Sequence, residues 1–98
     1  MIRVVLPQHL RTLSSTNGEL FVELLEEPTI CRLIDHLEQQ YPMLKGTIRD
    51  QISGSRRPFV RFFAAGLDLS HEPVDTVLPL SVQSGREPFI ILGAMAGG

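Results

Sequence analysis

Short β-branched and alternating stretches stand toward both ends of the chain, and one helical stripe lies between them. Ile2 to Leu6 is rich in β-branched residues and closed by Pro7, which predicts a first strand. After the mixed stretch Gln8 to Leu13, Asn17-Gly18 supplies the positive φ of a tight turn, so Glu19 to Leu25 is expected to return as the second strand of a hairpin. Glu26-Glu27-Pro28-Thr29 then opens a helix, with Thr29 as its cap and the two acids near the positive end of the dipole. Ile30, Leu33, Ile34 and Leu37 recur at helical spacing while Arg32, Asp35, His36 and Gln39 point elsewhere, and Pro42 stops the helix near Tyr41. Leu44 to Ser55 is polar and irregular, and reads as an insertion-tolerant connection with a turn around Thr47 to Ile52. Phe59 to Ala64 is a third strand. Phe89 to Leu92, between Pro88 and Gly93, is a continuous apolar run suited to the middle of a sheet. Pro73 and Pro79 break Asp68 to Gly85 into edge pieces and turns.

These elements sum to an α+β domain, a sheet of roughly four to five strands with one long helix across one face. One helix covers one face only, so the other is either polar or meets a partner. In the third strand Val60, Phe62 and Ala64 share the core side. Arg61 and Phe63, joined by Ile90 and Leu92 of the last strand, are the candidate docking surface on the other.

Length and charge narrow the picture. A chain of 98 residues holds one domain, 1–98, with 93–98 as an extended tail. An apolar fraction of 43% with a formal charge of −2 excludes a disordered chain and gives no long-range attraction to nucleic acid or anionic lipid. Arg56-Arg57-Pro58-Phe59 interleaves basic and aromatic residues, yet without net positive charge it reads as a strand approach, not a nucleic-acid platform. The single cysteine, Cys31, cannot pair internally, and five helical positions turn it away from His36. His9, His36 and His71 lack ligand spacing, no carboxylates are paired in an apolar run, and Ser53-Gly54-Ser55 lacks the lysine of a phosphate loop. No metal, bound cofactor, membrane span or signal peptide is expected, and the expected location is the cytoplasm.

The distinctive chemistry lies at the end, Gly93-Ala94-Met95-Ala96-Gly97-Gly98. Six such residues reach up to about 20 Å when extended. A terminal carboxylate is ionised at neutral pH and can attack the α-phosphate of ATP to form an acyl-adenylate. Two glycines, lacking Cβ, thread a channel that other residues would block.

Together with that tail, Ile2-Arg3-Val4-Val5-Leu6-Pro7, Leu10-Arg11, Pro28-Thr29-Ile30 with Leu33 and Leu37, Tyr41-Pro42, and Phe59-Val60 with Asp68 resemble the ThiS/MoaD family of sulfur carriers. The resemblance runs nearly the whole length and implies a β-grasp, ubiquitin-like fold. It implies that an E1-like enzyme uses ATP to adenylate Gly98, that sulfur then replaces the adenylate, and that the thiocarboxylate feeds a biosynthetic enzyme. Gly97 would lie beside the reacting group, with Ala96 and Met95 in the activating enzyme's channel. The first-choice recipient is the large subunit of molybdopterin synthase, followed by a cysteine or thiazole synthase. The chain itself would be a protein substrate, at most a synthase small subunit, and a monomer when free. Three departures stand out: Gly93-Ala94 where the family has proline, Ser84-Gly85-Arg86-Glu87-Pro88 where it has an Asp-Gly-Asp turn, and Ala65 where it has asparagine. The rival readings are a ubiquitin-like modifier joined to lysine through Gly98 and a binding module whose tail is never activated.

Overall fold

β-Branched residues open and close the described chain, and in the folded protein those two ends meet. The computed structural model describes residues 1–93. Strand β1 is Ile2–Val5, β2 is Leu20–Val22, β3 is Val60–Ala64, β4 is Leu67–Asp68 and β5 is Phe89–Gly93. They form one sheet in the order β2-β1-β5-β3-β4. β5 lies parallel to β1, with Val4 opposite Phe89 and Val5 opposite Ile90, and antiparallel to β3. The apolar run at Phe89 to Leu92 is therefore the central strand, as its composition predicts. Because the sheet centre joins the two ends of the described chain, its formation is non-local.

The helices are α1 (Gln8–Ser14), α2 (Ile30–Gln40) and α3 (Leu80–Gln83), with a 3₁₀ turn at Pro42–Leu44. In α2 the Thr29 hydroxyl accepts the Arg32 N–H at 3.2 Å, and Ile30, Leu33, Ile34 and Leu37 are all buried. Thr29→Ala removes this cap and is expected to cost about 1 kcal/mol, read as a lower urea midpoint at unchanged slope. A loss under a few tenths would show that the cap does not hold the helix start.

Three expectations need correction. The sheet is not covered by one long helix alone: Leu10 of α1 and Val82 of α3 enter the same core as the α2 stripe. β1 and β2 do pair antiparallel, with Ile2 opposite Val22 and Val4 opposite Leu20, but helix α1 joins them where a tight hairpin turn was expected. That helix starts on the Pro7 carbonyl, which accepts the N–H groups of Leu10 and Arg11 at 3.0 Å, and ends at Ser15 with φ 56°. Finally, residues 44–55 are not a loose connection, since Leu44 and Ile48 are fully buried. The Arg49 guanidinium also clamps the segment to α2, donating to Glu38 at 2.9 and 3.1 Å and pairing with Asp35. Burial works against the charge of Arg49, but the hydrogen bonds to Glu38 and Asp35 outweigh it and hold the guanidinium above its ordinary pKa.

Alternation assigns the sheet faces. Ile2, Val4, Val60, Phe62, Ala64, Phe89 and Ile91 point into the core, where the rings of Phe62 and Phe89 lie 5.4 Å apart. Phe62 also ties β3 to the segment after β4: its N–H donates to the Ser70 hydroxyl at 2.9 Å and its carbonyl accepts the Leu69 N–H at 2.8 Å.

Candidate functional site

The face opposite the helices carries the residues that alternation turns outward. Arg61 lies directly across from Leu92 and Phe63 directly across from Ile90, so the four predicted surface residues form two neighbouring cross-strand pairs. Phe63 and Ile90 are half-buried, whereas Arg61 and Leu92 are exposed. Val5 extends the apolar row from the other side, being paired with Ile90. Asp68 stands opposite Phe63 and reaches Arg61 at 3.7 Å. The Ser70 hydroxyl and N–H hold the Asp68 carboxyl below its usual range, helped by Arg61. The surface is thus an apolar strip with an exposed ion pair at its side.

At the end of β5 the strip continues into a shallow groove of about 720 Å³. Its lining includes Pro7, Gln8 and Arg11, Phe59 and Arg61, and Leu92 and Gly93. Gly93 suits this place because a Cβ there would stand 3.1 Å from the His9 ring, forcing the imidazole aside. Sequence reasoning missed Val5, Arg11 and Phe59 as neighbours of the strip. Alternation from Ile2 would have turned Val5 outward. Nothing local connects Arg11 or Phe59 to Leu92, because the sheet order brings them together. The remaining predicted positions, Met95, Ala96, Gly97 and Gly98, lie outside the described residues.

The segment before β5 is pinned from the neighbouring strand β1. Arg3 donates to the Gly85 carbonyl at 2.7 Å and the Arg86 carbonyl at 2.9 Å while pairing with Glu19 at 2.8 Å. Gly85 has φ +81°, and a Cβ there would stand 2.6 Å from the Met1 carbonyl oxygen, so glycine is required on two counts. This turn takes the place of the Asp-Gly-Asp expected by resemblance. Arg56 and Arg57, which carried the basic-aromatic pattern, act as staples: Arg56 donates to the Ser70 carbonyl at 2.7 Å and Arg57 to the Gly46 carbonyl at 2.8 Å. Among the described residues no three His, Cys, Asp or Glu side chains assemble as a metal site, and no helix is long and apolar enough to cross a membrane.

Two central parallel strands from opposite ends of the sequence, flanked by antiparallel partners and crossed by α2, match known structures over the whole chain. SAMP1 from Haloferax volcanii superposes with a TM-score of 0.74 at 14% identity, over 98% of this chain and 97% of that one. A chain of the Amycolatopsis orientalis BexX/CysO complex gives 0.76 at 18% identity over 100% of both. The chain has the β-grasp fold. Mycobacterium tuberculosis CysO gives 0.75 at 21% identity, covering 97% of this chain and 100% of its own. At these identities the likeness is one of fold. No protein-family model matches the sequence, and no curated protein matches it.

Proposed function

We propose that this β-grasp chain is a sulfur carrier whose Gly98 carboxylate is activated by an E1-like enzyme. The carboxylate oxygen attacks the α-phosphorus of ATP and pyrophosphate leaves. A sulfur donor at the hydrosulfide level then displaces AMP to leave a thiocarboxylate. Gly97 keeps the approach slender, and Ala96 and Met95 occupy the enzyme's channel. The recipient is a sulfur-accepting biosynthetic enzyme, foremost the large subunit of molybdopterin synthase, with cysteine and thiazole synthases as the competing acceptors.

The observation that supports this most is the direction of β5. The central strand runs along the apolar strip and ends at Gly93 in the lining of an open groove, with Ala94, Met95 and Ala96 between it and Gly97-Gly98 in the sequence. An enzyme seated on Arg61, Phe63, Ile90 and Leu92 would receive that tail from a fixed origin. A chain of this fold occurs in a complex in the BexX/CysO structure. ATP is consumed by the activating partner, and the carrier binds no cofactor.

The test is ATP–pyrophosphate exchange by the host's adenylating enzyme with this chain as substrate, followed by sulfur delivery from the thiocarboxylated form to each of the three acceptors. Exchange that depends on the chain supports the reading, and none at saturating chain contradicts it. Leu92→Ser, at a position 47% exposed, is expected to keep the fold and lower the kcat/KM of exchange on the order of tenfold. An unchanged value there and for Phe63→Ser would remove the strip from the docking surface. The modifier reading uses the same activated carbonyl, and isopeptide adducts on other proteins are its distinguishing product.

A further inference from the structure

The chain carries eight arginines and a single lysine, Lys45. A guanidinium stays protonated in proteins and makes no acyl bonds under ordinary conditions, whereas a deprotonated lysine amine is a competent nucleophile. Lys45 therefore supplies the one side-chain amine that an activated carboxyl could acylate.

The fold presents that amine from a firm base. Lys45 is exposed and directly follows the 3₁₀ turn, with its N–H donated to the Pro42 carbonyl at 3.1 Å. Leu44 before it and Ile48 after it are both fully buried, and the Thr47 hydroxyl donates to the Leu44 carbonyl at 2.6 Å. The neighbouring carboxylates are engaged elsewhere: Glu38 by Arg49, and Asp50 by the N–H groups of Ile52 and Ser53. Among the described residues Lys45 enters no ion pair. Lys45 itself lines an open groove of about 430 Å³ together with Glu38, Arg49, Asp50, Gln51 and Gly54. A peptide ending in two glycines, with no Cβ to place, can lie in such a groove.

We propose that Lys45 is the internal acceptor at which one copy of this chain receives the Gly98 acyl group of another, so that polymers of the chain have a single side-chain linkage. The inference rests on the activation of Gly98 proposed above. The neutral Nζ attacks the Gly98 carbonyl carbon of the acyl-adenylate. A C–N bond forms, the C–O bond to AMP breaks with its electron pair leaving on AMP, and the nitrogen releases a proton to solvent. No oxidant or reductant enters. Use of arginine at every other basic side chain apart from the histidines leaves the Met1 amine as the one competing amine.

The test supplies activation chemically, apart from any enzyme. The full chain is released from an intein fusion as its Gly98 thioester and held concentrated at mildly alkaline pH, with hydroxylamine added at the end to trap surviving acyl groups. The expected product is a covalent dimer in which tryptic cleavage after Arg86 leaves the Glu87–Gly98 peptide on Lys45. Both Lys45→Arg and Lys45→Gln, with unchanged circular dichroism, are expected to abolish that dimer while their thioesters still react with hydroxylamine. Linkage to the Met1 amine, dimer formation by Lys45→Arg at the parent rate, or a live parent thioester that forms no dimer would overturn the proposal. Failure of the host enzyme to adenylate the chain would instead count against the carrier reading and leave this result standing.

Discussion

Removal of Gly97 and Gly98 is expected to abolish ATP–pyrophosphate exchange while leaving the urea midpoint of the domain unchanged. The separation follows from where stability resides. The last core residue of the described chain is Ile91, and the strand that carries it is complete at Gly93. The proposed chemistry lies beyond it, at the carboxylate of Gly98. A truncated chain ends in the carboxylate of Ala96, which is as ionised as that of Gly98 but two residues short of the adenylating centre. Geometry alone then decides the rate, and misplacement of a reacting atom by even about 1 Å costs on the order of a hundredfold. Exchange by the truncated chain at the parent rate would show that the enzyme does not measure the tail from the docked domain. A fall in the urea midpoint would show that the tail is part of the fold.

The largest effect on stability is expected at Phe89. Its side chain is fully buried, lies in the central strand and packs against the tilted ring of Phe62, so Phe89→Ala leaves a cavity where both halves of the sheet meet. Such a truncation costs about 3 to 5 kcal/mol, against a total of about 5 to 15 kcal/mol for a typical domain. Urea unfolding should show the midpoint collapse, with much of the variant unfolded near its thermal midpoint. Leu25→Ala, at a residue 94% exposed, is the control and should change stability by less than about 0.5 kcal/mol. A loss at Phe89 under about 1 kcal/mol would contradict the placement of β5 at the sheet centre.

What could be read from the residues follows the length of each pattern. Helix α2 repeats its stripe over Ile30, Leu33, Ile34 and Leu37 behind a capping threonine, so period and boundary agree. β3 and β5 alternate or run apolar for long enough to assign their faces, which places Arg61, Phe63, Ile90 and Leu92 on one surface, as the cross-strand pairing also does. Helix α1 offers no such stripe: only Leu10 and Ser14 are buried in its seven residues, and Leu13 faces water. It is set by backbone bonds to Pro7 and by a left-handed Ser15, neither of which has a periodic signature. The same brevity hides α3. Gly18 does have positive φ, at +70°, but the preceding helix makes the link too long for a hairpin turn. Leu44 and Ile48 were obscured by their polar surroundings, because two apolar residues four apart are too few to announce burial. The groove at Gly93 joins Pro7, Arg11, Phe59 and Leu92 through sheet order, which local sequence does not specify. The proposed activation chemistry, in contrast, rests on the Gly-Gly tail and on the resemblance that the order of landmarks carries.

The central claim concerns one functional group, and intact mass spectrometry of the protein purified from its own host under conditions that preserve thiocarboxylates reads that group directly. A fraction of molecules is expected to be heavier by the exchange of one oxygen for sulfur, localised by fragmentation to Gly98 and absent after alkylation of the thiocarboxylate. Only the unmodified carboxylate, recovered even after incubation with the cognate adenylating enzyme, ATP and a sulfur donor, would contradict it.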